Sequence, residues 1–201
     1  KKMKEAESAG WVERTRIAGV LLREALGDAG WKKTLRHPSD QVRGWGASLI
    51  AAVPSMDVGE RLGLIRPFAD DANPGVREVA WISLRPHVAA ALPASFRLLQ
   101  PWTLLPSANL RRYASEITRP RGVWCAHIRP LRENPAKGLP LLRALRADPS
   151  RYVQNSVANW LNDASKDDPG FVRKVCTIWL KESKCRETAY ICRRAQRTIN
   201  K

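Results

Sequence analysis

Strand-type alternation is almost absent from this chain, and so are long apolar runs, metal-spaced thiols and enough acidic residues to balance the basic ones. The longest apolar stretches are Ile17 to Leu22 and Ala47 to Val53, the latter with one serine. Both fall far short of the roughly 18 residues a membrane-spanning helix needs, so no such helix and no membrane partner are expected. The start, KKMKEAESAGWVERTR, is basic without an apolar core and does not read as a secretory signal. It also lacks an initiator Met, which leaves open that the true N-terminus, with its helices, is missing. The 4 cysteines (Cys125, Cys176, Cys185, Cys192) form no CxxC and the 3 histidines (His37, His87, His127) are scattered, so zinc spacing is lacking and no metal or cofactor is expected. Cys185 and Cys192 stand seven apart and are expected to share a helix face as small core residues, reduced thiols of a cytoplasmic protein.

The most conspicuous presence is charge. Among 201 residues, 35 Lys and Arg face 19 Asp and Glu, a formal net charge of +16. With 44% apolar residues the composition is globular, the length suits one domain over residues 1–201, and a chain of this size buries roughly 70% of its unfolded surface. Such an excess calls for a counter-anion. Nucleic acid leads, because neutralising phosphates releases condensed counterions. An acidic membrane surface, an acidic protein partner and an unspecialised basic enzyme are the alternatives. The 8 Trp against 3 Phe and 3 Tyr are the second oddity: most suit a core, and some, beside Arg, suit stacking on bases or cations.

Helical periodicity recurs along the chain with Pro and Gly punctuation. Leu110, Tyr113, Ala114 and Ile117 form an i, i+3, i+4, i+7 stripe, and Val153, Val157, Trp160 and Leu161 form another. Breaks are expected at Pro54, Pro86, Pro93, Pro106, Pro120, Pro135 and Pro149. A repeat runs through HPSDQVRGWGA, DANPGVREVAW, LPSANLRRYAS and ADPSRYVQNSVANW, each a Pro-containing polar turn followed by an aliphatic residue. The aliphatic markers Val42, Val76, Leu110 and Val153 are spaced 34, 34 and 43, and a weaker copy begins near Arg186. Two-helix HEAT-like units produce such spacing, with Pro near the first helical position. The expected fold is all-α, a curved α-solenoid whose second helices line a concave face; an irregular helical bundle is the alternative.

Two segments stand out chemically. In LRRYASEITRPRGVW, Arg111, Arg112, Arg119 and Arg121 surround one carboxylate, Glu116, with Arg112 at i−4 and Arg119 at i+3. Glu116 sits in the last helical turn, where the dipole disfavours an anion by about 0.3–1 kcal/mol. An ordinary Arg–Glu network is one reading; the surplus of arginine points instead to a site that grips phosphate around a buried anion. In SRYVQNSVANWLNDASK, Tyr152, Ser156, Asn159 and Asp163 form a polar stripe ending in a carboxylate, which either serves a site or merely ends the helix. A third segment holds Arg77, Glu78 and Trp81, where Glu78 is favoured by the helix dipole. Side-by-side second helices would let Glu78, Glu116 and Asp163 converge, rimmed by Arg43, Arg77, Arg119, Arg121 and Lys166. Carboxylates inside a basic groove repel phosphate, and stabilising a developing positive charge is one reason to keep them.

The runs ADDANPGVREVAWISLRPHV, SEITRPRGVW and DPSRYVQNSVANWLNDASK resemble the AlkC branch of the HEAT-like repeat DNA glycosylases, the AlkC/AlkD superfamily, over roughly residues 37 to 201. The resemblance implies a monofunctional N-glycosylase of base excision repair acting on double-stranded DNA. It would remove cationic alkylated bases such as 3-methyladenine and 3-methylcytosine, without metal or cofactor, as a monomer in the bacterial cytosol. It also implies catalytic carboxylates at Glu78, Glu116 and Asp163, and lesion contact by Trp124, with Trp81 a second candidate. Arg43, Arg77, Arg119, Arg121 and Lys166 are the expected phosphate ligands. The match for Glu78 rests on less regular spacing. Two departures stand out: N-terminal helices that are short or missing, and no immunoglobulin-like domain after Lys201. A non-catalytic nucleic-acid scaffold and a protein-interaction solenoid are the competing functions.

Overall fold

The first helix, α1 (Trp11–Leu26), is followed by the short α2 (Trp31–Thr34), α3 (Asp40–Ala52), α4 (Val58–Ala69), α5 (Pro74–Ala90) and α6 (Leu92–Leu99). After a 3₁₀ turn (Gln100–Leu104) come α7 (Ala108–Ile117), the short α8 (Arg129–Glu133), a 3₁₀ turn (Pro135–Gly138), α9 (Leu139–Ala144), α10 (Arg151–Ala164), α11 (Pro169–Glu182) and α12 (Arg186–Ala195). The computed structural model describes residue 6 and residues 8–200. Of the basic start read from the sequence, residues 1–5 and 7 lie outside them. Among the described residues there is no strand, so the all-α expectation holds, in the form of successive helical repeats.

The chain gathers into two compact units, Lys1–Ser95 and Phe96–Lys201, where the sequence suggested one domain. In the first, α1, α3 and α5 pack in succession, with α2 against α3 and α4 against α3 and α5. In the second, α7, α10 and α12 pack in succession, with α11 against α10 and α12. The sequence stripes supply the cores. Leu110, Tyr113, Ala114, Ile117, Val153, Val157, Trp160 and Leu161 are all buried, each large aliphatic contributing roughly 1.5–3 kcal/mol.

Every repeat marker opens a helix: Val42 lies in α3, Val76 in α5, Leu110 in α7, Val153 in α10, and Arg186 begins α12. The turn chemistry differs in detail from expectation. Pro74 occupies the start of α5, but Pro38, Pro106 and Pro149 precede the caps Ser39, Ser107 and Ser150. Serine takes the capping position, and Ser107 accepts from Leu110 N–H. Pro86 does not break its helix but lies inside α5. Trp81, Ile82, Leu84, Arg85 and Val88 are buried on either side of it and hold the helix through a defect that costs about 3 kcal/mol in isolation. Cys185 is not on the helix face shared with Cys192. It caps α12 through its sulfur, whereas buried Cys192 faces Cys176 across reciprocal thiol-to-carbonyl contacts of 3.8 and 3.9 Å.

The residue after each marker performs one repeated task. Arg43 Nη1 donates to the carbonyls of His37 and Pro38, Arg77 Nη1 to those of Asp71 and Ala72, and Arg111 Nη1 to those of Leu105 and Pro106. Gln154 donates to the Asp148 carbonyl at the same offset. Two of these arginines also form forked pairs with the acid of the next repeat turn. Arg43 meets Asp71 at 2.7 and 3.1 Å, and Arg111 meets Asp148 at 2.6 and 3.0 Å. Asp71 and Asp148 in turn accept the N–H groups of Asn73 and Ser150. Each clamp thus fastens its own turn and the following one, with the bidentate geometry only arginine supplies.

Candidate active site on the second unit

Glu116 is the penultimate residue of α7 and Asp163 that of α10, and the packing of these two helices brings the carboxylates to one guanidinium. Arg119, just past α7, donates from Nη1 to Glu116 Oε1 at 2.6 Å and from Nε to Asp163 Oδ2 at 2.8 Å. Both carboxylates are buried, at 4% exposure each. Ser156 Oγ donates to Glu116 Oε2 at 2.6 Å and accepts from Ser115 Oγ at 2.7 Å. Arg112 approaches Glu116 Oε2 at 3.5 Å and lies over the Tyr152 ring at 4.8 Å. Lys166 Nζ stands 3.7 Å from Asp163 Oδ1. Four of the expected site residues (Glu116, Arg119, Asp163, Lys166) therefore meet in one cluster.

The electrostatics of the two acids diverge. Burial alone would push the Glu116 carboxyl up, but the Arg112 and Arg119 guanidiniums and the Ser156 hydroxyl outweigh it and hold the group below its ordinary value. At Asp163 burial prevails over Arg119 and Lys166, and the Glu116 charge adds to it, so its pKa is raised. Burial opposes the charge on Arg119, yet the two acids raise its pKa further. Two carboxyls pushed apart by their surroundings are the arrangement by which one stays ionised and the other takes a proton.

Between α7 and α8 the chain forms an irregular loop. Its neck is closed by Ile128 N–H donating to the Pro120 carbonyl at 2.9 Å and by the Trp160 indole donating to the Thr118 carbonyl at 2.9 Å. Trp160 lies against Gly138, where a side-chain Cβ would overlap the indole ring. Arg121 holds the loop to Asp167 through contacts of 2.7 and 3.1 Å, and Arg132 grips the same carboxylate at 2.8 and 3.1 Å. Trp124 is 68% exposed with φ 67°, a left-handed conformation costly for a bulky residue and stored where the surroundings enforce it.

The other expected residues lie in the first unit. Glu78 Oε2 accepts from the Trp81 indole at 2.8 Å, and Trp81 is buried at 2% exposure, its ring inside the helical core. Arg43 and Arg77 serve the turn clamps described above. Glu78 also lines a cavity of about 850 Å³ together with Trp11, Arg14, Asp40, Trp45 and Val79. Among the described residues, no three His, Cys, Asp or Glu side chains gather as a metal site, and no helix is long and apolar enough to cross a membrane.

Solved structures of the same architecture exist. Pseudomonas fluorescens alkylpurine DNA glycosylase AlkC, bound to DNA containing an abasic site analog, matches all of this chain with a TM-score of 0.61 at 23% identity. AlkD2 from Streptococcus mutans matches 97% of it with a TM-score of 0.73 at 21% identity. The fold is that of AlkC and AlkD2. The chain spans 65% of the AlkC chain and 96% of the AlkD2 chain. In sequence, it is 37% identical over 119 residues to the uncharacterized protein YhaZ of Bacillus subtilis, a stretch covering 59% of this chain and 33% of that protein. No protein-family profile matches the chain.

On this AlkC-like fold, several residues of the cluster were not singled out from the sequence. Ser115, the partner of Ser156, lies directly before Glu116 and had no distinguishing pattern. Asp167, held by Arg121 and Arg132, and outside the cluster the clamp acids Asp71 and Asp148 gain their roles only through the fold. The clamp acids had a readable signal: each opens the polar turn of the repeat following its arginine.

Proposed function

We propose that this chain is a DNA glycosylase that hydrolyses the N-glycosidic bond of cationic N-alkylated bases such as 3-methyladenine and 3-methylcytosine. One observation carries the reading: two buried carboxylates of opposite pKa tendency share the Arg119 guanidinium in a strongly basic chain with the fold of AlkC. An alkylated base is already positively charged, so the bond breaks with its electron pair leaving on the base and no strong acid is required. The sugar that remains is oxocarbenium-like. Glu116, held ionised, stabilises that charge; Asp163, whose pKa is raised, orients the attacking water and accepts its proton as the oxygen bonds to the sugar carbon.

Trp124 is exposed on the loop that Arg121 fastens to Asp167 and supplies a ring for a cationic base, worth about 0.5–2 kcal/mol over a neutral one. Lys166 and Arg121 offer charge to the flanking phosphates, while Arg119 must release at least one carboxylate as the reacting sugar arrives. Glu78 is assigned a supporting carboxylate role, tested by Glu78→Gln. For Arg43 and Arg77 the clamp geometry supports positioning of the helix ends rather than direct phosphate contact, and the buried Trp81 supports holding Glu78.

A specific observation favours a second reading: Arg119 bridges both carboxylates, as the ion-pair network of a non-catalytic nucleic-acid scaffold would. Incubation with methylated duplex DNA separates the two. Release of alkylated base with formation of abasic sites is expected; a folded protein that binds the duplex and releases nothing would leave only the scaffold.

A further inference from the structure

Apart from the carboxylate cluster, the second unit gathers cations around one aromatic ring. The Arg151 guanidinium lies 3.5 Å from the Tyr190 ring centroid, with those of Arg193 and Arg194 at 5.6 and 5.7 Å. Tyr190 is held by its hydroxyl, which donates to Asn155 Oδ1 at 2.7 Å, and Arg197 donates to Asn159 Oδ1 at 3.0 Å. Among the described residues no ion pair joins Arg151, Arg193, Arg194 or Arg197 to a carboxylate. The Arg194 Nε–H is buried and without a hydrogen-bond partner.

Folding alone does not account for this arrangement. The C-terminal dipole of α12 favours Arg193 and Arg194, but Arg151 is the first residue of α10, where the dipole repels a cation. Burial lowers the pKa of Arg197, and the Arg194 and Arg119 charges lower it further, while Asp163 relieves this only in part. Crowded cations that lack a counterion within the chain await one from outside.

We infer that Arg151, Arg193, Arg194 and Arg197 around Tyr190 bind the sugar-phosphate backbone of a nucleic-acid strand that runs on from the carboxylate site. A guanidinium stacked on an aromatic face keeps its in-plane N–H groups for the forked contact a phosphate accepts. Position supports the same partner. Arg151, Asn155, Asn159 and Asp163 follow one another at four-residue intervals along α10, so Arg151 at the far end of the patch and Asp163 are about 18 Å apart along the helix, with Arg197 on Asn159 between them. That spans roughly five nucleotides of a strand. The inference rests on the nucleic-acid partner of the proposed function and not on its chemistry.

The test uses the exposed residues in a triple variant, Arg151→Gln, Arg193→Gln and Arg197→Gln, with an undamaged duplex oligonucleotide as the probe. Fluorescence anisotropy across a range of salt concentrations should show binding weakened about tenfold or more at low salt. The log Kd against log salt slope should fall by about 0.9 for each phosphate the variant no longer neutralises. Wild-type affinity and slope in a variant that melts like the wild type would overturn the inference. Should the triple variant melt early, Arg193→Gln alone is read in its place, a slope lower by about 0.9 supporting the inference and an unchanged one overturning it. A triple variant that keeps duplex binding but loses poly-glutamate binding overturns it in favour of an acidic protein partner. Binding of duplex through these arginines without base release by the wild type refutes the glycosylase reading and leaves the patch standing.

Discussion

The two units share one clamp and differ in what accompanies it. Arg43 with Asp71 in the first unit and Arg111 with Asp148 in the second have nearly superposable bonding: a forked pair plus two carbonyls of the preceding turn. The acids read as functional are treated unlike each other. Glu78 in the first unit is half-buried and bonded to a neutral indole, whereas Glu116 and Asp163 are buried among Arg112, Arg119 and Lys166. A feature that recurs from repeat to repeat is one that stacking requires. The shared Arg119 guanidinium between two buried carboxylates is not part of the repeated turn clamp, and the proposed reaction gives it a reason.

The strongest way to break this contrast is to remove the guanidinium that bridges the acids. Arg119→Met leaves two buried carboxylates short of their shared partner and should lower the unfolding free energy by about 3–5 kcal/mol, read from urea unfolding. A decrease no larger than that of a clamp variant would mean the cluster is not electrostatically distinct. Next in size is the effect on chemistry. Asp163→Asn and Glu116→Gln should slow single-turnover base release by about 10²–10³ while duplex binding stays near wild type, whereas Glu78→Gln should slow it less. Equal rates in all three would refute the assignment of the reaction to the second unit's pair.

Clamp variants test the shared half of the comparison. Arg111→Met leaves Asp148 buried without its partner and should lower stability by about 1–3 kcal/mol. Arg43→Met should shift the melting temperature in the same direction by less, because Asp71 is more exposed than Asp148. Neither should change the single-turnover rate of a protein that remains folded.

A smaller and sharper test is the pH dependence of stability. The folded-state pKa of Glu116 is lowered, so the native state binds fewer protons than the unfolded one and this contribution is lost as pH falls through the folded value. Asp163 is raised, so the native state binds more protons and stability declines as pH rises from the ordinary Asp value to the folded one. Urea midpoints between about pH 3 and pH 6 should therefore show Glu116→Gln less acid-sensitive than wild type and Asp163→Asn more so. The smallest effect expected is that of Trp124→Gly, which relieves the left-handed backbone and should leave stability within about 1 kcal/mol of wild type while reducing preference for cationic over neutral bases.

Local chemistry made much of this molecule legible. The markers Val42, Val76, Leu110 and Val153 identify helices because an apolar face must recur at helical spacing to be buried, and each does open one. Arg112 and Arg119 could be paired with Glu116 because i−4 and i+3 neighbours meet on any helix, and both approach it. Where local rules compete with packing they lost. Pro86 reads as a break and is carried inside α5 by the buried residues around it, and Cys185 reads as a core residue and serves as a cap.

The sequence by itself determined the all-α repeat, the excess of cations and the few carboxylates placed among them, since periodicity, turn chemistry and charge are properties of neighbours in the chain. Only the tertiary structure decided which cations are already spoken for. Arg43 and Arg111 reach acids 28 and 37 residues away, and Arg119 reaches Asp163 across 44. Such pairs depend on how helices pack, to within the few ångströms over which a charge-assisted hydrogen bond forms, and no spacing along the chain specifies that distance.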